Sequence, residues 1–520
     1  MILGKTGASV IGRIWGVLAT AMLLSACSDK EPGVVLAKGF GRGLTLAPGG
    51  GAVAFLLDAR HPDDRGIPED LYLGDLYLAN AAGSEAARKL GSSVSNGGGS
   101  YHFSPTGGTL AYLAAYRFRA GSGELYLVQS LGAAAPRKLA DEVVTFSWGP
   151  LGEKLAYLAA GKLFALDAAG ATPRPLGDGI QSFAWSPDGT KLAARSSGAS
   201  GGELFLIDLA SANRTSIAKE VSDYAFAADG AVGLLGKPGN KGGDRPLLLL
   251  EPGAAAAKEV GRATSFSFGP KGHELLALST DKQPGEASGD LIRIAAAPAA
   301  PQLLGPKSTD HRFTPEGDVL FLLRYDVRSR AGTLSVAPAG GGPVREIATR
   351  VQGFSLVPGG KKVLYLSQKP LKGDFKIELW SADLSGGEPK KIDEGVYGYE
   401  PAADGSTLYW KARCGYGPRS CSLFRGKLDG SGTPVEVVKN VAGFDLSADG
   451  ERLLLSAPHR GSARSVDLSW LPSSAAPTDK PRPIAVDVDP SAKLVDRAGQ
   501  RVAFAVLVPG KPAVYLADLR

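Results

Sequence analysis

The sequence predicts an all-β protein, a β-propeller built from about eleven four-stranded repeats. Three observations predict it. Gly supplies 70 of 520 residues, about 13% against the ~7% of an average chain, and Pro adds 35. That composition suits many short strands joined by tight turns and argues against a helix bundle, a coiled coil or a doubly wound α/β protein. A Pro-x-Gly turn, or a relic of it, recurs eleven times between residues 48 and 499. Between recurrences stand short runs in which large apolar residues alternate, the period of a half-buried strand.

The first segment lies outside that fold. Lys5 and Arg13 give residues 1–26 positive charge, and Ile14 to Leu24 is an apolar run too short for the roughly 20 residues of a spanning helix. The run ends in Leu24-Ser25-Ala26-Cys27, which resembles the bacterial lipobox. The resemblance implies cleavage of a lipoprotein signal peptide, residues 1–26, and attachment of a diacylglyceryl group and a palmitate-type acyl chain at Cys27. Several acyl chains hold a protein on a membrane far better than one does. An ordinary secretory signal with an incidental cysteine is the alternative. Ser28, where Asp would imply inner-membrane retention, implies an outer-membrane anchor facing the periplasm or the surface. Residues 27–33 read as a linker. Cleavage removes two positive charges, taking the formal charge from +6 to +4.

The whole chain has near-neutral mean hydropathy of -0.01, as a folded body should. Its 58 basic and 52 acidic residues, counted over the whole sequence, are interspersed without blocks, so no nucleic-acid partner is expected.

The repeats follow in order. The Pro-equivalent position falls at 48, 105, 150, 187, 228, 270, 315, 358, 403, 448 and 497, with Gly two residues later every time. Pro pre-sets φ at the first turn position, Asp suits the second, and Gly takes the position where φ turns positive. Each repeat reads as four strands. The first ends at the turn. The second alternates, as in Lys154-Leu155-Ala156-Tyr157-Leu158. The third has the form Gly-Glu-Leu-Tyr/Phe-Leu at 123–127 and 202–206. The fourth is short, as in Arg137-Lys138-Leu139-Ala140. Four strands in ~45 residues is the size of one propeller blade.

The clearest copy, Phe183-Ala184-Trp185-Ser186-Pro187-Asp188-Gly189 with Leu192-Ala193, resembles the WD40-like Pro-Asp propeller repeat. That repeat is known from TolB and from the propellers of prolyl-oligopeptidase-type enzymes. The resemblance covers 34–520 and implies a fold, not a function. It departs from those families in showing neither an α/β domain before the repeats nor a hydrolase domain after them. Rings of four to eight blades are typical. Two propellers are therefore expected, one region at 34–308 and one at 309–520. Val34-Val35-Leu36-Ala37 has the form of a fourth strand, and the last repeat stops at its third, Ala513 to Leu516. The N-terminal strand is expected to complete that last blade and remove an open edge.

Site signals are sparse. Cys414 and Cys421 end a short loop between strand-like runs, and a compartment outside the cytoplasm predicts a disulfide. The five histidines, at 61, 102, 273, 311 and 459, are scattered singly, so no metal is expected, and no cofactor motif is found. Gly198-Ala199-Ser200-Gly201-Gly202 matches the nucleophile-elbow pattern but lies between two strands rather than before a helix. Asp63-Asp64 has only His61 beside it. His102 and His311 fall in first strands, as packed channel histidines. No catalytic constellation is assigned. The long loops between second and third strands are expected on one face, carrying Arg117, Arg119, Arg245, Arg324, Arg328, Arg330 and Arg419. The function expected is a non-enzymatic outer-membrane lipoprotein whose propeller binds an envelope protein or cell-wall polymer. The alternative is a propeller enzyme, a glycan lyase or hydrolase, acting at the channel.

Overall fold

The computed structural model describes residues 32–519 apart from 63–67, 69–70, 168–170, 199–200, 238–242, 281–288, 296–300, 372–373, 416–419, 495–499, 509–510 and a few single positions. The lipobox and Cys27 lie outside the described residues.

Forty-two strands, and no helix among the described residues, form eight small sheets in a propeller-like arrangement. Five are separate four-stranded antiparallel sheets, at 41–95, 180–221, 223–263, 265–308 and 398–441. Two seven-stranded sheets, at 101–178 and 311–394, each turn on one long strand. The strand Arg137–Trp148 pairs through 137–143 with Ser122–Gln129 and through 143–148 with Leu155–Ala159. Arg345–Leu356 is shared in the same way between its neighbours. The eighth sheet joins 443–488 to the last strands of the chain through a single residue pair, Val488 and Val506. Its far edge is Val34–Lys38, which pairs antiparallel with Ala513–Asp518. The two ends of the chain therefore meet in one sheet.

The recurring turn explains the first hairpin of each unit. The Gly amide donates to the carbonyl three residues back in Gly107→Ser104, Gly189→Ser186, Gly317→Thr314 and Gly450→Ser447. These glycines have φ between 64° and 101°, the left-handed region that a side chain disfavours. In the full motif Ser186 Oγ donates to Asp188 Oδ1 at 2.6 Å, and Asp188 accepts the Thr190 amide at 3.0 Å. These bonds, the Ser186 hydroxyl first, hold the Asp188 carboxyl down at about 2.

A second recurrence was not read from the sequence. Where the fourth strand leaves its sheet, one residue adopts positive φ and the next is buried: Ser93-Val94, Glu142-Val143, Glu220-Val221, Arg350-Val351, Asn440-Val441 and Asp487-Val488. Left-handed backbone costs a non-Gly residue roughly 1–2 kcal/mol. The adjoining Val, 0–2% exposed in each pair, offsets that by its burial. The signal in the sequence is a bare polar-Val dipeptide, too common to recognise.

Packing runs in chain order without a break. Each sheet shares an apolar cluster with the next, from Leu56, Leu76 and Tyr112 at the start to Trp470, Val502 and Phe504 near the end. A further cluster sets Ala503, Val514 and Leu516 against Val53, Phe55 and Leu57, so the last sheet packs on the first. Polar contacts repeat the pattern. First strands bond to one another through Tyr101 Oη to the Gly43 carbonyl (2.5 Å), Trp148 Nε1 to the His102 carbonyl (3.0 Å) and Tyr224 Oη to Ser182 Oγ (3.1 Å). Arginines reach carbonyls 34 to 48 residues further along the chain: Arg88 to Ala134, Arg137 to Ala171, Arg174 to Leu209, Arg345 to Leu384 and Arg425 to Ser473. Arg501 reaches the Ala81 carbonyl, across a separation of 420 residues.

Packing also runs across the expected division between 308 and 309. Leu276, Leu291 and Leu304 form one cluster with Val319, Phe321 and Leu323 across it, and Arg293 bonds to the Pro338 and Ala339 carbonyls.

Candidate functional site

The links between sheets and the loops between second and third strands emerge on the same face, opposite the Pro-Asp-Gly turns. Antiparallel pairing within each meander requires that. Of the seven arginines expected there, the structure gathers two. Arg324 and Arg328 line one cavity of about 890 Å3 together with Lys307, Asp310, Asp326 and Gln352. Lys307 and Arg324 have φ of 51° and 49°. Lys307 stands at a register shift in the pairing of the fourth strand Gln302–Ser308, and Arg324 at one in the second strand Val319–Asp326. The bends that redirect the backbone there set both cations at the mouth of the cavity.

The charges do not cancel. Asp326 accepts the Arg328 amide at 2.9 Å and the Ser329 hydroxyl at 3.1 Å, and those bonds lower its pKa. Asp310 lies 3.9 Å from Arg312. Among the described residues no carboxylate lies within ion-pair distance of Lys307, Arg324 or Arg328. Three cations facing two engaged carboxylates leave the cavity with an excess of positive charge.

The other expected residues are placed differently. Arg117 is exposed and lies 3.5 Å from Glu142. Arg119 and Arg330 are exposed turn residues outside the cavity. Arg245 is half-buried and donates to Ser222 Oγ at 3.0 Å, in the link between two sheets. Arg419, Ser200 and Asp63-Asp64 lie outside the described residues. The strands Lys191–Ser196 and Gly202–Asp208, on either side of Ser200, pair antiparallel with each other. Cys414 and Cys421 are joined in a disulfide.

First strands carry further titratable groups. His311 Nε2 lies 3.2 Å from Ser267 Oγ, and burial lowers the ring's pKa. Burial and the nearby Asp445 carboxylate raise the pKa of Glu400, half-buried on the strand Gly398–Pro401. Sequence reasoning missed this acidic pair, because 45 residues separate its members and only sheet-to-sheet packing joins them.

Comparison with known proteins adds the following. No protein-family model matches the chain, and no curated protein matches it. Among solved structures it is similar to a eukaryotic initiation factor at 15% identity and TM-score 0.43, over 70% of this chain and 93% of that one. It is similar to the tricorn protease at 11% identity and TM-score 0.28, over 94% of this chain and 61% of that one. It is similar to TolB from Acinetobacter baumannii at 14% identity and TM-score 0.25, over 67% of this chain and 80% of that one. Identities this low concern fold alone. The class defined so far is an all-β, propeller-like protein with a cationic cavity on its loop face.

Proposed function

We propose that the chain is an outer-membrane lipoprotein, acylated at Cys27, whose propeller is a binding scaffold for an anionic envelope protein or cell-wall polymer. The observation that carries the reading is the cavity of Lys307, Arg324 and Arg328, whose charge is not neutralised locally. A rigid ring presenting its links and loops on one face suits recognition. Supporting the architecture, small antiparallel sheets follow one another in a propeller-like arrangement, five of them separate four-stranded sheets.

Two experiments test the parts separately. Cys27→Ser should abolish fatty-acid labelling and release the protein from the outer-membrane fraction; labelling that persists sinks the anchor. Arg324→Glu with Arg328→Glu should abolish capture of anionic envelope components by the full chain while its melting curve stays in place. Undiminished capture sinks the cationic site. A second reading, a glycan lyase or hydrolase at the channel, is favoured by the Glu400–Asp445 pair, since a carboxyl with a raised pKa can serve as a general acid. Cleavage of a cell-wall glycan by the wild type and not by Glu400→Gln would select it.

A further inference from the structure

The chain enters its fold at the turn face. Val34–Lys38 runs antiparallel to Ala513–Asp518, with Val34 paired to Leu516 and Lys38 to Ala513. Ala513 follows a loop between second and third strands, so Val34 starts at the opposite end, among the turns. A Cβ built on Gly83, in the turn 81–87 between third and fourth strands, would lie 3.6 Å from Val34. We infer that the turn face, from Val34 across the first three repeats, rests on the bilayer that holds the acyl chains, with the loop face turned away from it. The inference rests on acylation at Cys27, proposed above, and adds the surface that meets the lipid.

Three observations carry it. The first is reach. At Gly33 an added Cβ would strike the Leu516 carbonyl, so the chain is seated on the sheet from there on. Cys27 lies six residues earlier, a tether of about 20 Å when fully extended. The nine-residue strand Ala52–Arg60 spans about 30 Å between the two faces. The tether is too short to bring the loop face down to the acyl chains.

The second is a break in the turn chemistry. The middle residue of the turn is Gly49, Thr106 and Leu151 in the first three repeats. In the next seven it is Asp188, Asp229, Lys271, Glu316, Asp404 and Asp449, with Gly359 the one uncharged exception. Asp188 shows what the turn itself favours, a carboxylate accepting the Thr190 amide at 3.0 Å. Leu151 cannot make that bond, and it is 65% exposed. The repeat gives no reason for a leucine there; a lipid surface does.

The third is that apolar groups gather in the same sector. Leu131, 53% exposed, heads the run Leu131-Gly132-Ala133-Ala134-Ala135, exposed throughout and without charge. A Cβ on Gly51 would lie 3.9 Å from Leu131 Cδ1, so the leucine borders the turn of the first repeat, which also meets Val34 through Gly83. Anionic headgroups repel the carboxylates of the later turns and favour contact through the uncharged sector. The cationic cavity, on the loop face, then draws its ligand from the aqueous side and not from the lipid that anchors the chain.

The test uses the acylated full chain in vesicles of phosphatidylethanolamine and phosphatidylglycerol that carry nitroxide-labelled lipid. A nitrobenzoxadiazole fluorophore is attached through Thr106→Cys on the turn face or, in a second preparation, through Val327→Cys on the loop face. Fatty acid at Cys27 is measured on both. The fluorophore at 106 should be quenched about fivefold more than that at 327, because nitroxides quench near contact and the faces stand about 30 Å apart. Leu131→Glu with Leu151→Glu should lower the quenching at 106 by about half, since carboxylates are repelled where the leucines met lipid. The melting curve should stay in place, both side chains being exposed. Quenching at 327 that equals or exceeds that at 106, with Cys27 acylated, overturns the orientation and leaves the anchor standing. Quenching at 106 unmoved by the double variant overturns the docking surface. Absence of fatty acid at Cys27 sinks the anchor, and this inference with it.

Discussion

Replacing Leu36 with Ala tests the closure of the ring at a single side chain. Leu36 is 1% exposed and sits among Leu44, Val53, Phe55, Ala503, Val514 and Leu516. Those residues come from three places: the N-terminal strand, the first full sheet and the last two strands of the chain. Truncating a buried Leu removes its transfer free energy and leaves a cavity, about 3 kcal/mol within an observed span of 2–5. Unfolding entropy scales with length, so for a chain near 490 residues that amounts to a fall of about 3 °C in Tm. Hydrogen exchange gives a more local readout. The amides of Ala513–Asp518 pair with Val34–Lys38, so losing 3 kcal/mol there should accelerate their exchange roughly a hundredfold. Val34, 49% exposed on the same strand, is the control, and Val34→Ala should change neither quantity measurably. Equal exchange in the two variants would refute the reasoning, because the strand would then contribute nothing to the seam.

Glu400→Gln should raise Tm at pH 7 and leave it unchanged near pH 3. Burial lifts the folded-state pKa of Glu400 above its unfolded value, so the native state binds the extra proton. The carboxylate's cost is therefore present above the folded pKa and disappears below the unfolded one; a Tm gain that persists at low pH would contradict this. Cys414→Ser with Cys421→Ser should lower Tm by only about 2 °C, since so short a loop yields about 2 kcal/mol in the chain-entropy model. Differential scanning calorimetry with and without reductant measures it, and a drop beyond 10 °C would give the bond a global role. Asp188→Ala should destabilise its hairpin at pH 7 but not below pH 2, because protonation of the wild-type carboxylate breaks the same bonds to Ser186 and Thr190. A pH-independent difference in Tm would show that those bonds are not the cause.

The repeat was legible because its turn is chemically demanding. Ser, Pro, Asp and Gly at fixed offsets each satisfy a separate requirement of one backbone turn, so even degenerate copies keep the Gly. The seam was legible for a similar reason: an orphan strand at one end of the chain and an incomplete unit at the other have one economical solution. The arginine contacts between sheets were not legible. Arg88, Arg137 and Arg174 open fourth strands in exposed-looking sequence, and their acceptors are main-chain carbonyls, which have no residue type to recognise. Loop-face positions were only partly legible. Sequence placed Arg245 and Arg324 in equivalent loops, but what such an arginine meets, as Arg245 meets Ser222, depends on a neighbour 23 residues away.

The same distinction bears on where function resides. Contacts that repeat from sheet to sheet serve the ring: the positive-φ links, the turn hydrogen bonds and the arginine reaches. A residue at one of these positions is explained by the architecture and needs no ligand. Lys307 and Arg324 occupy such positions by their backbone, which accounts for where they stand but not for their charge. At the equivalent second-strand position the chain carries Asp58, Ala115 and Arg413, so the fold sets no requirement on the side chain. Concentrating three cations at one cavity is thus a feature the ring does not demand.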